Sequence, residues 1–82
     1  AAFYFGQAAE GGNGDAQLML SRMYLLGEGV DVDFAKAFFW TLLGAVQKPA
    51  LAEWHFDKLR GNLSMAQMDR IRAQSKAWLP KD

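Results

Sequence analysis

Between Phe34 and Val46 only Lys36 and Thr41 are clearly polar. Ala37, Trp40 and Gly44 fall on one face at helical spacing, and Phe38, Phe39, Leu42 and Leu43 cover most of the rest. A helix that is apolar all round persists in water only when neighbours cover it on several sides or a partner covers the face left open. It is shorter than the roughly 20 apolar residues that cross a bilayer. The chain must therefore be a packed helical assembly around this segment.

The preceding stretch carries a second helical pattern. Ala16, Leu20, Met23 and Tyr24 form one stripe, and Met19 and Leu26 are expected to widen it. Leu18 and Leu25 form another on the opposite side, leaving Gln17, Ser21 and Arg22 to keep the surface polar. Two apolar stripes require neighbours on two sides. Asn13 or Asp15 is placed to cap the start by accepting a backbone N–H. Gly27 is expected to close the end in the left-handed conformation, and Gly29 permits a second sharp turn. Val30 then folds back onto the helix it follows. Asp31 and Asp33 lie where the next helix N-terminus favours negative charge, and one of them is expected to cap it. The small residues Ala16, Ser21, Ala37, Gly44 and Ala45 let the helices approach closely.

The order Ala16-x3-Leu20-Ser21-x2-Tyr24-x2-Gly27-x-Gly29-Val30-x2-Asp33-x2-Lys36-Ala37-x2-Trp40-x3-Gly44-Ala45 resembles a Sel-1-like repeat. That family is a close relative of the tetratricopeptide repeats, with the pattern A-x3-L-G-x2-Y-x2-G-x-G-V-x2-D-x2-K-A-x2-W/Y-x3-A-A. Ser21 and Gly44 depart from it, standing where the family usually has Gly and Ala, and both are still small. The resemblance implies an all-α fold of helix-turn-helix repeats stacked as a short α-solenoid, a TPR-like superhelix serving as adaptor or scaffold in protein complexes.

By the same resemblance, residues 1–12 read as the second helix of a partial preceding repeat, 13–48 as the complete repeat, and 49–82 as a degenerate repeat plus a capping helix. Ala2-Phe3-Tyr4-Phe5 aligns with Ala37-Phe38-Phe39-Trp40 at a shift of 35, and Ala8-Ala9-Glu10-Gly11-Gly12 fits the A-A-E-x-G ending common in the family. A repeat unit does not bury its faces alone, so Phe3, Tyr4 and Phe5 are expected to be partly exposed and to drive self-association. Pro49 suits the first turn of a helix running to Leu59, in which Ala52, Phe56 and Leu59 repeat Ala16, Leu20 and Met23 at a shift of 36. Gly61-Asn62 stops that helix. Ser64-x-x-Gln67 is a capping box opening a last helix to about Leu79, ended by Pro80. Its apolar side is expected to hold Met65, Met68, Ile71, Ser75 and Trp78, with Ala73 and Ala77 near it, and Gln67, Arg70, Gln74 and Lys76 on the polar side.

At 82 residues the chain is one domain or less. It opens at Ala1 without a methionine, so a processed or trimmed product is expected. With no cysteine there is neither a disulfide framework nor a thiolate metal site, and the cytoplasm and the bacterial periplasm are equally open to it. The residues from Ala1 to Asp82 hold no signal peptide, transit peptide or membrane span, and a signal peptide removed on processing stays open as an alternative. Net charge is zero, yet residues 1–46 hold two basic against five acidic residues and 47–82 seven against four. We read this asymmetry as a solvated surface.

Reaction chemistry finds few candidates. His55 is the sole histidine, and a triad would need it beside Ser21, Ser64 or Ser75 with Glu53 or Asp57 as orienter. Those acids stand two residues away, off its helical face, so His55 is expected to be a partly exposed residue of a repeat helix. Clustered metal ligands are lacking. Asp31-x-Asp33 matches only part of a calcium loop and is read as helix capping. The glycines at 11–14 have no preceding strand and no following Lys-Ser/Thr, so they read as an inter-repeat turn rather than a phosphate cradle. Some family members of a cysteine-rich branch have been linked to β-lactam binding, but this chain has no cysteine and no S-x-x-K motif. Lys58, Arg60, Arg70 and Arg72 with Trp54 form a weak nucleic-acid alternative, opposed by the neutral charge.

The expectation is a non-catalytic module that holds a protein or peptide and takes no cofactor, metal, nucleic acid or membrane. In stacked helix-pair arrays the first helices line the concave surface, which by fold analogy nominates Gln17, Ser21, Arg22, Leu25, Trp54, Asp57 and Lys58 for partner contact. Trp54 is the best candidate for an anchor, since aromatic and arginine side chains dominate interface energetics, but packing of that ring against the neighbouring helix is the favoured expectation. Tyr24 and Trp40 are assigned to the core.

Overall fold

The computed structural model describes residues 2–78, the side chains of 2–5 excepted. The expected exposure of Phe3, Tyr4 and Phe5 and the stop at Pro80 fall outside what is described. Five helices follow in order: α1 (Ala2–Glu10), α2 (Gly14–Leu26), α3 (Phe34–Gln47), α4 (Pro49–Leu59) and α5 (Met65–Trp78). Among the described residues there is no strand.

Helix boundaries follow local chemistry. Asn13, not Asp15, caps α2, its Oδ1 accepting from the Ala16 N–H at 2.9 Å. Gly27 closes α2 at φ 74°, and the Gly27 and Glu28 N–H groups both donate to the Met23 carbonyl. Gly29 turns the chain again at φ 77°. The Asp33 N–H then donates to the Tyr24 carbonyl at 2.9 Å, fastening the returning loop along α2, and Val30 packs on the cluster formed by Ala9, Ala16, Leu20 and Met23. Asp33 caps α3 through the Lys36 N–H at 3.0 Å. Lys48 alone separates α3 from α4, with Pro49 opening the latter. Gly61 does not adopt a positive φ; the α4 end is held instead by Asn62, whose Nδ2 donates to the Lys58 carbonyl at 2.9 Å. Ser64 and Gln67 form the reciprocal capping box, at 2.8 and 3.1 Å.

α2 packs between α1 and α3 and also meets α4, while α3 touches α2, α4 and α5. That central position explains why α3 is apolar nearly all round. Phe38 lies at the heart of one cluster with Leu25, Ala37, Leu59 and Ile71. A second cluster joins α1 to α2, with Tyr24 and Trp40 half-buried against it. Phe39, Trp40 and Trp78 meet edge to face and tie the end of α5 to α3. The radius of gyration, 11.6 Å, is close to the roughly 12 Å of a compact chain of this length. Stability thus comes from helix faces packed on one another rather than from an extended rod.

Two apolar stripes leave two gaps between them on α2, and these have opposite fates. Gln17 and Ser21 lie in the gap covered by neighbours and are buried at 3% and 0% exposure. Asp15, Met19, Arg22 and Leu26 lie in the gap that faces solvent, so Met19 and Leu26 do not widen the core stripe. On α5, Met65 at 77% exposure and the exposed Ala73 and Ala77 also miss the core.

The α2–α3 contact is unusually close. A methyl at Gly44 would meet Leu18 Cγ at 2.6 Å, and one at Gly14 would meet the Gln47 side chain at 2.7 Å. Gln47 uses that proximity: its Oε1 accepts from the Gly14 N–H at 3.1 Å and its Nε2 donates to the Gly12 carbonyl at 2.6 Å. The end of α3 thereby clasps the turn between α1 and α2.

Candidate functional site: the groove between α2 and α4

The solvent-facing gap of α2 meets a matching face of α4. Asp15, Leu18, Met19 and Arg22 recur at helical spacing on α2, and Leu51, Trp54 and His55 face them from α4. Together they line an open groove of about 510 Å³. Met19, Leu51 and Trp54 remain 40%, 58% and 43% exposed. Large apolar groups grouped on one surface, rather than scattered, mark places where something is bound.

Polar groups frame the groove. Asp15 stands at one end beside Lys48 at 3.9 Å. At the other, the Arg22 Nε lies 3.5 Å from a Glu28 carboxylate oxygen, with both side chains half-exposed. Such exposed pairs contribute at most about 1 kcal/mol, so they yield readily to a competing partner. The Lys58 ammonium lies 5.7 Å from the centre of the Trp54 ring, supporting that side chain where it leaves the helix.

His55 forms the floor, only 7% exposed, in place of the expected partly exposed residue. Its Nδ1 lies 3.2 Å from Ser21 Oγ. Ser21 Oγ in turn donates to the Ala37 carbonyl at 2.9 Å and contacts the Thr41 hydroxyl, which also reaches that carbonyl at 2.7 Å. Burial pushes the imidazole below its ordinary value of 6.5, and the nearby Arg22 charge adds to the shift. The Ser–His proximity that a hydrolase would require is thus present. Ser21, however, has no exposed surface and its oxygen is enclosed by Thr41 and Ala37. An electrophile has no path to it, so the pair acts as a buried hydrogen-bonded joint between α2, α3 and α4.

Among the seven residues nominated from sequence, Arg22 and Trp54 meet across this groove. Gln17, Ser21 and Leu25 are interior, the last at 8% exposure in the central cluster. Gln17 Nε2 donates to the Ala9 carbonyl at 3.0 Å. Asp57 and Lys58 are exposed on α4 outside the groove lining, and Asp57 pairs with Arg60 at 2.7 Å. Asp15, Leu18, Met19, Leu51 and His55 were not nominated. Their signal in the sequence is the i, i+3, i+4, i+7 spacing of Asp15, Leu18, Met19 and Arg22 opposite Leu51-x2-Trp54.

A second cavity, of about 300 Å³, opens among α3, α4 and α5 between Leu42, Phe56 and Met68, with Arg60 and Arg72 at its edge. Arg60 pairs with Asp57 at 2.7 Å and Arg72 with Asp69 at 3.2 Å, each three residues away and exposed. Among the described residues no group of three His, Cys, Asp or Glu side chains is arranged to hold a metal ion. No described helix is long and apolar enough to cross a membrane. Comparison of the chain with protein-family models, with curated proteins and with solved structures found no match.

Proposed function

We propose that this chain is a non-catalytic protein-interaction module, a short Sel-1-like α-solenoid that holds a segment of another protein in the groove between α2 and α4. One observation carries the reading: Met19, Leu51 and Trp54 lie exposed together along a groove built by two helices. The sequence order from Ala16 to Ala45 supports the repeat assignment. So do the neighbour relations, in which α2 touches α4 and α3 touches α5 as the successive first and second helices of stacked pairs do. Trp54 supplies the anchor and Arg22 an adjacent charged contact, the residue types that concentrate binding energy.

Affinity capture with the wild type, Trp54→Ala and Leu51→Asp tests this, with Met65→Asp as a control for an exposed apolar residue elsewhere. A partner lost with both groove variants and kept with the control is the expected result. Equal capture by all four proteins, or turnover of a small substrate that survives Trp54→Ala, would remove the proposal.

A further inference from the structure

We infer that the α2–α4 groove selects a segment of another protein in which an acidic side chain accompanies aliphatic or aromatic residues, its carboxylate seated between Arg22 and His55. This rests on reading the groove as the partner site and names the chemistry of what fills it. The walls supplied by Leu18, Met19, Leu51 and Trp54 call for apolar side chains. The charge is unequal along the groove. Asp15 at one end is balanced by Lys48. At the other end the nearest approach of Arg22 to Glu28 is through Nε at 3.5 Å, with both side chains half-exposed, a pair loose enough for the guanidinium to turn and take a carboxylate in two-pronged fashion.

His55 supplies the second donor. Its Nδ1 is engaged by Ser21, whereas Nε2 makes no hydrogen bond within the described chain and is not among the sealed, unsatisfied atoms. It is therefore the ring edge open to the groove. The groups facing this imidazole are Ser21 and Arg22 from α2, Thr41 and the Ala37 carbonyl from α3, and the Trp54 ring from α4. The one carboxylate in the groove lining, Asp15, stands at the far end beside Lys48. The polar cluster accepts a proton on His55 without losing a bond: Nδ1–H donates to Ser21 Oγ while the Ser21 hydroxyl donates to the Ala37 carbonyl. An incoming carboxylate stabilises the imidazolium, so binding takes up a proton and tightens as pH falls.

The test selects peptides from a random dodecapeptide phage library on the whole protein, then measures the enriched peptides at pH about 6 and about 8. We expect acidic residues beside apolar ones, an affinity loss of about tenfold or more with Arg22→Gln, and tighter binding at the lower pH that disappears in His55→Gln. Because His55 is the only histidine, its imidazole Hε1 resonance is free of overlap from other histidines and reads the same coupling in the unaltered protein. Its titration must move to higher pH when peptide is added. Peptides that need Trp54 but ignore Arg22 and pH overturn this inference and leave the groove as a partner site. Failure to enrich any peptide, or enrichment indifferent to Trp54→Ala, overturns both.

Discussion

Gly44 and Leu18 show how little room a single methyl group has in this protein. An added Cβ at Gly44 meets the branch carbon of Leu18, not the far end of a pliable side chain. Gly44→Ala, the residue usual in the resembling family, is expected to destabilise by about 1–3 kcal/mol, or several degrees in melting temperature. Leu18→Ala should recover part of that loss in the double variant, and additive losses would refute the steric account. Gly27→Val faces two penalties: a β-branched residue at φ 74° and a Cβ 2.9 Å from the Val32 side chain. Left-handed backbone alone costs about 1–2 kcal/mol, so an unchanged melting temperature would mean that the turn is wrongly drawn. His55 sets a pH dependence. Its folded-state pKa is lowered, so the unfolded chain binds a proton at higher pH than the folded one. Stability is full above about 6.5, declines as the pH drops through 6.5 toward the folded value, and levels off below it. Urea midpoints measured across this window should slope in the wild type and flatten in His55→Gln.

At the level of helices, the capping residues act where the chain has least packing to spare. The last helix buries only Ile71 and Ser75 fully, and it depends on the Ser64–Gln67 box for its first turn. Ser64→Ala should cost about 1 kcal/mol and accelerate hydrogen exchange in α5 before α2 or α3; uniform acceleration across all helices would contradict this. The helices, their caps and the closing glycines of the α2–α3 turn were legible because each depends on neighbours within four residues. Burial of the polar side chains was not. Gln17 and Ser21 have the same chemistry on paper as a solvated face, and only the arrival of α3 decides which gap of α2 is covered. His55 was misjudged for the same reason, since its partners Ser21 and Thr41 come from other helices. The groove was half legible: Arg22 and Trp54 were named from fold analogy, while Met19 and Leu51 were not, because exposure of an apolar side chain is a property of the assembled surface.

For the molecule as a whole, the groove and the core are separable. Trp54 is exposed and contributes to neither buried cluster, so Trp54→Ala should leave the melting temperature within a few degrees of wild type while abolishing partner binding. A large thermal loss would assign that ring to the fold rather than to recognition. The three tryptophans are also unequally placed. Trp40 and Trp78 lie with ring centroids 5.7 Å apart at a near-perpendicular angle, tying α3 to α5, while Trp54 stands apart on α4 at the groove. The two indoles in contact should exchange excitation and give coupled near-ultraviolet dichroism that vanishes when α5 detaches. The solitary one should shift its emission to shorter wavelength when a guest excludes water from it. Integrity of the scaffold and occupancy of its groove are therefore separately observable by light, without attaching any dye.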